Sequence, residues 1–123
     1  MRFMMRDFSA ICKLGQLLIA ESDNPQNEAA ARKLIYGLAR FVSEAQIGSV
    51  TLLASHLDLP TCATILTTLG EEELEWALGL LHEIATINGK MNQSQEHIWQ
   101  HIVDTIENKR CEEDNDEELE FDL

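Results

Sequence analysis

The chain has 123 residues, 45% of them hydrophobic, which suits one domain with an ordinary core and no need of staples. Its formal charge of −13 leaves little basic footprint for phosphate backbones or anionic lipid, so direct nucleic-acid binding and membrane-surface binding are disfavoured. No run approaches the roughly eighteen apolar residues that a membrane span requires.

Met1–Ala10 carries Arg2, Arg6 and Asp7 and no cleavage-site pattern, so it does not read as a signal peptide. Cys12, Cys62 and Cys111 are odd in number, widely spaced and without a CxxC pair. That usage fits a reducing cytoplasm and argues against a disulfide framework or a thiolate zinc site. The charge is unevenly placed. Residues 111–123 hold Glu112, Glu113, Asp114, Asp116, Glu117, Glu118, Glu120 and Asp122, eight acids and no base. Residues 1–40 carry six bases and four acids, and 41–110 carry three bases and ten acids.

In chain order, residues 3–20 read as a first helix, with Phe8, Ile11, Cys12, Gly15, Leu18 and Ile19 on one face. Gly15 inside that stripe predicts the close approach of another helix. Asn24 and Pro25 read as the N-cap and first residue of a second helix running to about Val42. Its stripe is Ala31, Leu34, Ile35, Leu38, Phe41 and Val42. Residues 43–46 form a weak break. Ile47, Val50, Leu53, Ala54 and Leu57 make a third stripe, stopped at Asp58-Leu59-Pro60. Pro60 opens a short fourth helix with Ile65, Leu66 and Leu69, which Gly70 closes. Glu71, Glu72 and Glu73 then fall in the first turn of a fifth helix, where carboxylates meet the positive end of the dipole. Its buried face is Leu74, Ala77, Leu78, Leu81, Ile84 and Ala85, with Trp76 at the margin. Asn88-Gly89 ends it, and Asn92 with Gln95 resembles a capping box for a sixth helix carrying Ile98, Ile102 and Ile106. No alternating run is long enough for a strand. The fold expected is an all-α, single-domain bundle of five to seven helices over 1–110, followed by a disordered acidic tail at 111–123.

The chain carries an internal echo. Ile19-Ala20-x-x-Asp23-Asn24 matches Ile84-Ala85-x-x-Asn88-Gly89 at an offset of 65 positions. Each half is a helix, a polar turn, and a second helix opening near an acid, Glu28 or Glu96. This arrangement resembles the TerB-like (tellurite-resistance TerB) helical family over about Phe8–Glu107. That family carries two hinges of the form Ile-Ala-x-x-Asp-Gly-x-Ile-x-x-x-x-Glu. The resemblance implies a stress-response context and a divalent metal held by acids of the two hinges, here Asp23, Glu28, Asn88 and Glu96. Asn88 stands where the family has Asp, and Gln95 where it has Glu, with Glu96 one position later.

Other chemistry is thinner. His97, His101 and Asp104 share one helical edge at metal-ligand spacing but lie opposite the Ile98/Ile102 stripe, so a solvated polar face is the plainer reading. His56 and His82 stand singly. No serine has nucleophile-elbow context, and no catalytic constellation is found. The expectation is a non-catalytic helical adaptor that binds another protein through an apolar groove, with the acidic tail steering association. Phe121 and Leu123 in the acidic tail are its docking residues, and its protein partner has a basic surface that the tail attracts. Two alternatives stand beside it: a TerB-like metal-binding domain using the hinge acids, and an acidic mimic that occupies a basic nucleic-acid-binding protein.

Overall fold

A computed structural model describes the backbone of residues 2–121 and the side chains of residues 2–109. Among the described residues the protein is all helical, with six helices and no strand. They are α1 (Met5–Ala20), α2 (Glu28–Ala39), α3 (Glu44–Ala54), α4 (Leu59–Leu66), α5 (Glu71–Ala85) and α6 (Gln93–Phe121). None is long and apolar enough to cross a membrane among the described residues.

α1 is the central helix and touches each of the other five. Its residues Asp7 to Cys12 are consecutively buried, as expected of a helix surrounded on every side. Asp7 is the polar member of that run. Its carboxylate accepts the Met4 backbone N–H at 2.6 Å, which satisfies a donor at the helix entrance. Ile11, Leu14 and Leu18 from α1 meet Leu38, Leu66, Leu81, Ile84 and Ile102 in one fully buried core. Gly15 sits where α2 crosses. A Cβ there would lie 2.8 Å from Leu34 Cδ1, so the close approach expected of this glycine is real.

Several boundaries differ from the sequence expectation. α2 starts at Glu28, not near Pro25, because Asn27 is the N-cap. Its side-chain oxygen accepts the N–H groups of Ala29 and Ala30 at 3.0 and 3.2 Å. Asn24 instead accepts the Asn27 N–H in the preceding turn. The weak break at 43–46 is a full helix start. Ser43 and Gln46 bond reciprocally as a capping box, at 2.8 and 3.3 Å. Pro60 lies in the first turn of α4, with Asp58 as the cap, accepting the Thr61 N–H at 2.8 Å.

The buried stripes of α2 and α3 are narrower than expected. α2 buries Ala30, Leu34 and Leu38 and leaves Ile35 46% exposed. α3 buries only Val50 and Ala54, leaving Leu53 at 38% and Leu52 at 67%. In both helices apolar residues occur beyond one face, so periodicity alone could not choose which side meets the core. The backbone of α6 stays helical through Phe121, past the position where the sequence reading begins its tail. That stretch contains no Gly or Pro to stop it.

Candidate functional site

The two polar hinges meet at one end of the bundle. The first joins α1 to α2 and the second joins α5 to α6. Asn92 and Gln95 form the reciprocal cap expected of them, with Gln95 N–H on Asn92 Oδ1 at 2.8 Å and Asn92 N–H on Gln95 Oε1 at 3.0 Å. Their amide groups then cross to the other hinge. Asn92 Nδ2 donates to the Glu21 carbonyl at 2.7 Å and to Asp23 Oδ1 at 3.0 Å. Gln95 Nε2, in a side chain only 4% exposed, donates to the Leu18 carbonyl at 3.0 Å. These bonds satisfy carbonyls at the open end of α1, which the helix itself cannot pair. Gly89 makes the second turn at φ +113°, the backbone region that favours glycine.

Asp23 and Asn88 line one small cavity at this junction, together with Ser22, Asn27, Lys90 and Gln95. The donor set does not suit a divalent cation: one carboxylate, neutral amides and a lysine. Glu28 and Glu96 are not part of that lining. Glu28 is on the exposed start of α2, 3.4 Å from Arg32, and Glu96 is exposed on α6. Among the described residues no three His, Cys, Asp or Glu side chains are grouped to hold a metal ion. Asp104 accepts from Gln100 Nε2 at 2.8 Å, and His82 packs edge-on against Trp99 with ring centroids 5.4 Å apart. The hinge amides, seen as caps in the sequence, thus act as a clasp between two ends of the chain.

A larger feature lies along the side of the bundle. α2 and α5 run antiparallel, matched by the Lys33–Glu83 ion pair at 2.8 Å and the Phe41–Trp76 ring contact at 5.0 Å. Between them is a groove of about 750 Å³. Its floor and walls include Tyr36, Gly37, Trp76, Gly79, Leu80 and Ile87. Tyr36 is 66% exposed and Ile87 37%. The α2 rim is basic, with Arg32, Lys33 and Arg40, and the α5 rim carries Glu75 and Glu83. Arg40 makes no ion pair among the described residues. The two glycines differ. A Cβ on Gly37 would strike Leu80 Cδ2 at 2.7 Å, so Gly37 lets α5 approach. A Cβ on Gly79 would meet nothing within 4 Å. Packing gives no reason for glycine there, and mid-helix glycine costs about 1 kcal/mol relative to alanine.

Sequence reasoning expected an apolar groove but did not place it here, because most of its residues fall outside the stripes used to read α2 and α5. A signal was present: Arg32, Tyr36 and Arg40 recur at four-residue spacing on a face opposite the buried one. A second cleft of about 670 Å³ lies between α1, the α4 entrance and α6, walled by Leu17, Leu57, Leu59 and Ile98 with Lys13 and His97. The buried thiols of Cys12 and Cys62 are each pushed up to about 11, mainly by burial, which makes them poor nucleophiles. Phe121 and the tail acids Glu112, Glu113, Asp114, Asp116, Glu117 and Glu118 have side chains outside the described residues, and Leu123 lies outside them altogether.

No protein-family model matches the chain, and neither a curated protein nor a solved structure matches it.

Proposed function

We propose that this protein is a cytoplasmic, non-catalytic helical adaptor, and that the α2/α5 groove is its docking face. The occupant that fits is an amphipathic helical segment of a partner protein with acidic residues along one flank. The observation that carries this reading is the pairing of an exposed aromatic and aliphatic floor with a basic α2 rim, in a chain whose formal charge is −13. Helix-in-groove recognition uses such a floor for affinity, and the rim charges set orientation. Gly79 leaves room for a partner backbone at the groove centre. The basic partner surface that the acidic tail would attract concerns long-range steering, whereas the groove selects the opposite charge locally.

Kinship with the TerB-like family remains part of this proposal. Its support is the meeting of the two hinges, where Asn92 Nδ2 donates to Asp23 Oδ1.

The test is a selection from a random peptide library on the immobilised full chain. The reading predicts enrichment of sequences that alternate apolar positions at i, i+3, i+4 and i+7 with Asp or Glu. It also predicts that Gly79→Trp, which fills the groove where Gly79 has open space, abolishes their binding. Enriched peptides that bind the Gly79→Trp protein equally well would refute it.

A further inference from the structure

The turn between α5 and α6 sets an asparagine directly before a glycine, Asn88-Gly89, and both residues are exposed. The Asn88 side chain makes no hydrogen bond among the described residues, and it lines the small cavity that also holds Asp23 and Gln95. Gly89 has no side chain to shield its peptide nitrogen. Even a Cβ at Gly89 would meet no atom within 4 Å, so the turn is open on that side.

The other asparagines are each held differently. Asn24 precedes Pro25, whose nitrogen carries no hydrogen. Asn27 Oδ1 accepts the N–H groups of Ala29 and Ala30. Asn92 uses both ends of its amide, with Oδ1 on the Gln95 N–H and Nδ2 on the Glu21 carbonyl and Asp23. Asn108 and Asn115 lie within α6, where the following backbone nitrogen is committed to the helix ladder. Asn88 alone joins a carboxamide without a partner to an accessible backbone N–H. One restraint remains, because the Gly89 N–H donates to the Thr86 carbonyl at 2.9 Å. A single bond in an exposed turn opens locally at small cost, so it slows attack by this nitrogen without preventing it.

We propose that Asn88 is a site of spontaneous deamidation in the folded protein, and that its isoaspartyl product loosens the hinge clasp. The Gly89 nitrogen forms a bond to Asn88 Cγ and gives up its proton. The Cγ–Nδ2 bond breaks, and Nδ2 leaves as ammonia with that proton. Water then opens the five-membered imide. Attack at Cγ breaks the new bond and yields aspartate with the ordinary main chain. Attack at the backbone carbonyl yields isoaspartate, whose main chain runs through Cβ and Cγ. In both cases the Gly89 nitrogen regains a proton, and the net change is water in and ammonia out. Each product adds one negative charge at the Asp23 cavity. Isoaspartate also lengthens the connection between α5 and α6 by one carbon. That draws the Gly89 N–H away from Thr86 and shifts the start of α6, where Asn92 and Gln95 reach across to Glu21 and Leu18. Neither step depends on the α2/α5 groove.

The experiment holds the folded full chain for days in mildly alkaline buffer at physiological temperature and maps the new carboxyl groups by peptide mass spectrometry. Conversion should occur at Asn88 ahead of every other asparagine. The isoaspartyl fraction, separated by ion exchange, should unfold at a urea midpoint lower by about 0.5–1 M, the worth of one hydrogen bond. Asn88→Gln, which would need a slower six-membered ring, should pass through the same incubation with its midpoint unchanged. Conversion that occurs only in urea, or first at another asparagine, would overturn the proposed site. An isoaspartyl fraction with the wild-type midpoint would overturn the loosening, as would an Asn88→Gln protein that weakens equally.

Discussion

Gln95→Ala is the most informative single perturbation of the fold, because Gln95 joins two ends of the chain from a buried position. Truncation removes the Nε2 donor from the Leu18 carbonyl, 3.0 Å away, and the Oε1 acceptor from the Asn92 N–H, also 3.0 Å away. Losing a buried partner costs about 1–3 kcal/mol, and losing a helix cap about 0.5–2 kcal/mol. The Gln95 backbone N–H keeps its bond to Asn92 Oδ1, so only part of the cap is lost. The net is about 3 kcal/mol. At a urea slope of about 1.5 kcal/mol per molar, that lowers the unfolding midpoint by roughly 2 M. Urea unfolding followed by far-ultraviolet circular dichroism reads this directly. Gln95→Glu serves as the companion variant. It keeps the acceptor for Asn92 but turns a carboxylate toward the Leu18 carbonyl, so it should destabilise at neutral pH and recover on acidification. A loss below about 0.5 kcal/mol for Gln95→Ala would refute the clasp as a structural element, since that is the size of an ordinary surface substitution.

The glycines provide a paired prediction. Gly79→Ala should stabilise by about 0.5–1 kcal/mol, through helix propensity alone, while Gly15→Ala should not, because its Cβ meets Leu34 Cδ1 at 2.8 Å; thermal melts compare the two. Asp58 caps α4, and its hydrogen bonds from the Thr61 side chain and backbone hold its carboxyl below the ordinary 3.8. A folded value below the unfolded one gives stability that is present above about pH 4 and lost as the pH falls through the folded value, so the pH dependence in acid should flatten in Asp58→Asn. Cys12 and Cys62, pushed up to about 11, should resist a thiol reagent at pH 8 in the native protein and react in urea. Raised thiol values in the folded state also imply stability that declines from about pH 9 toward pH 11. Finally, a thermal-shift titration with calcium, magnesium, manganese and zinc should give no saturable rise that depends on Asp23; a rise lost in Asp23→Ala would restore the hinge as a metal site.

Much of the fold was legible in the sequence. The helix count, Gly15 as a crossing point, Pro60 at the start of α4 and the Asn92/Gln95 cap all follow from local rules, which need only neighbouring residues. What stayed hidden depends on distance in sequence. Asn27 displaced Asn24 as a cap because two residues of similar type compete, and the tertiary path decides between them. Ile35 and Leu53 are exposed because the core is already supplied by α1, which contacts every other helix. The second role of Asn92 and Gln95 spans about 70 residues and has no local signature. The groove could not be placed for a similar reason: the Arg32/Tyr36/Arg40 row reads as solvated surface until Trp76, Gly79 and Ile87 are set opposite it.

The central claim is that the α2/α5 groove holds an acidic amphipathic segment of another protein. The most direct measurement replaces Tyr36 with a photoreactive benzoylphenylalanine in the full chain, irradiates cells, and maps the residues captured. The account predicts one dominant adduct at a partner segment rich in Asp, Glu and apolar residues, lost when Gly79→Trp fills the groove and weakened by Arg40→Glu. Adducts scattered over unrelated sequences, or the same adduct in the Gly79→Trp protein, would contradict it.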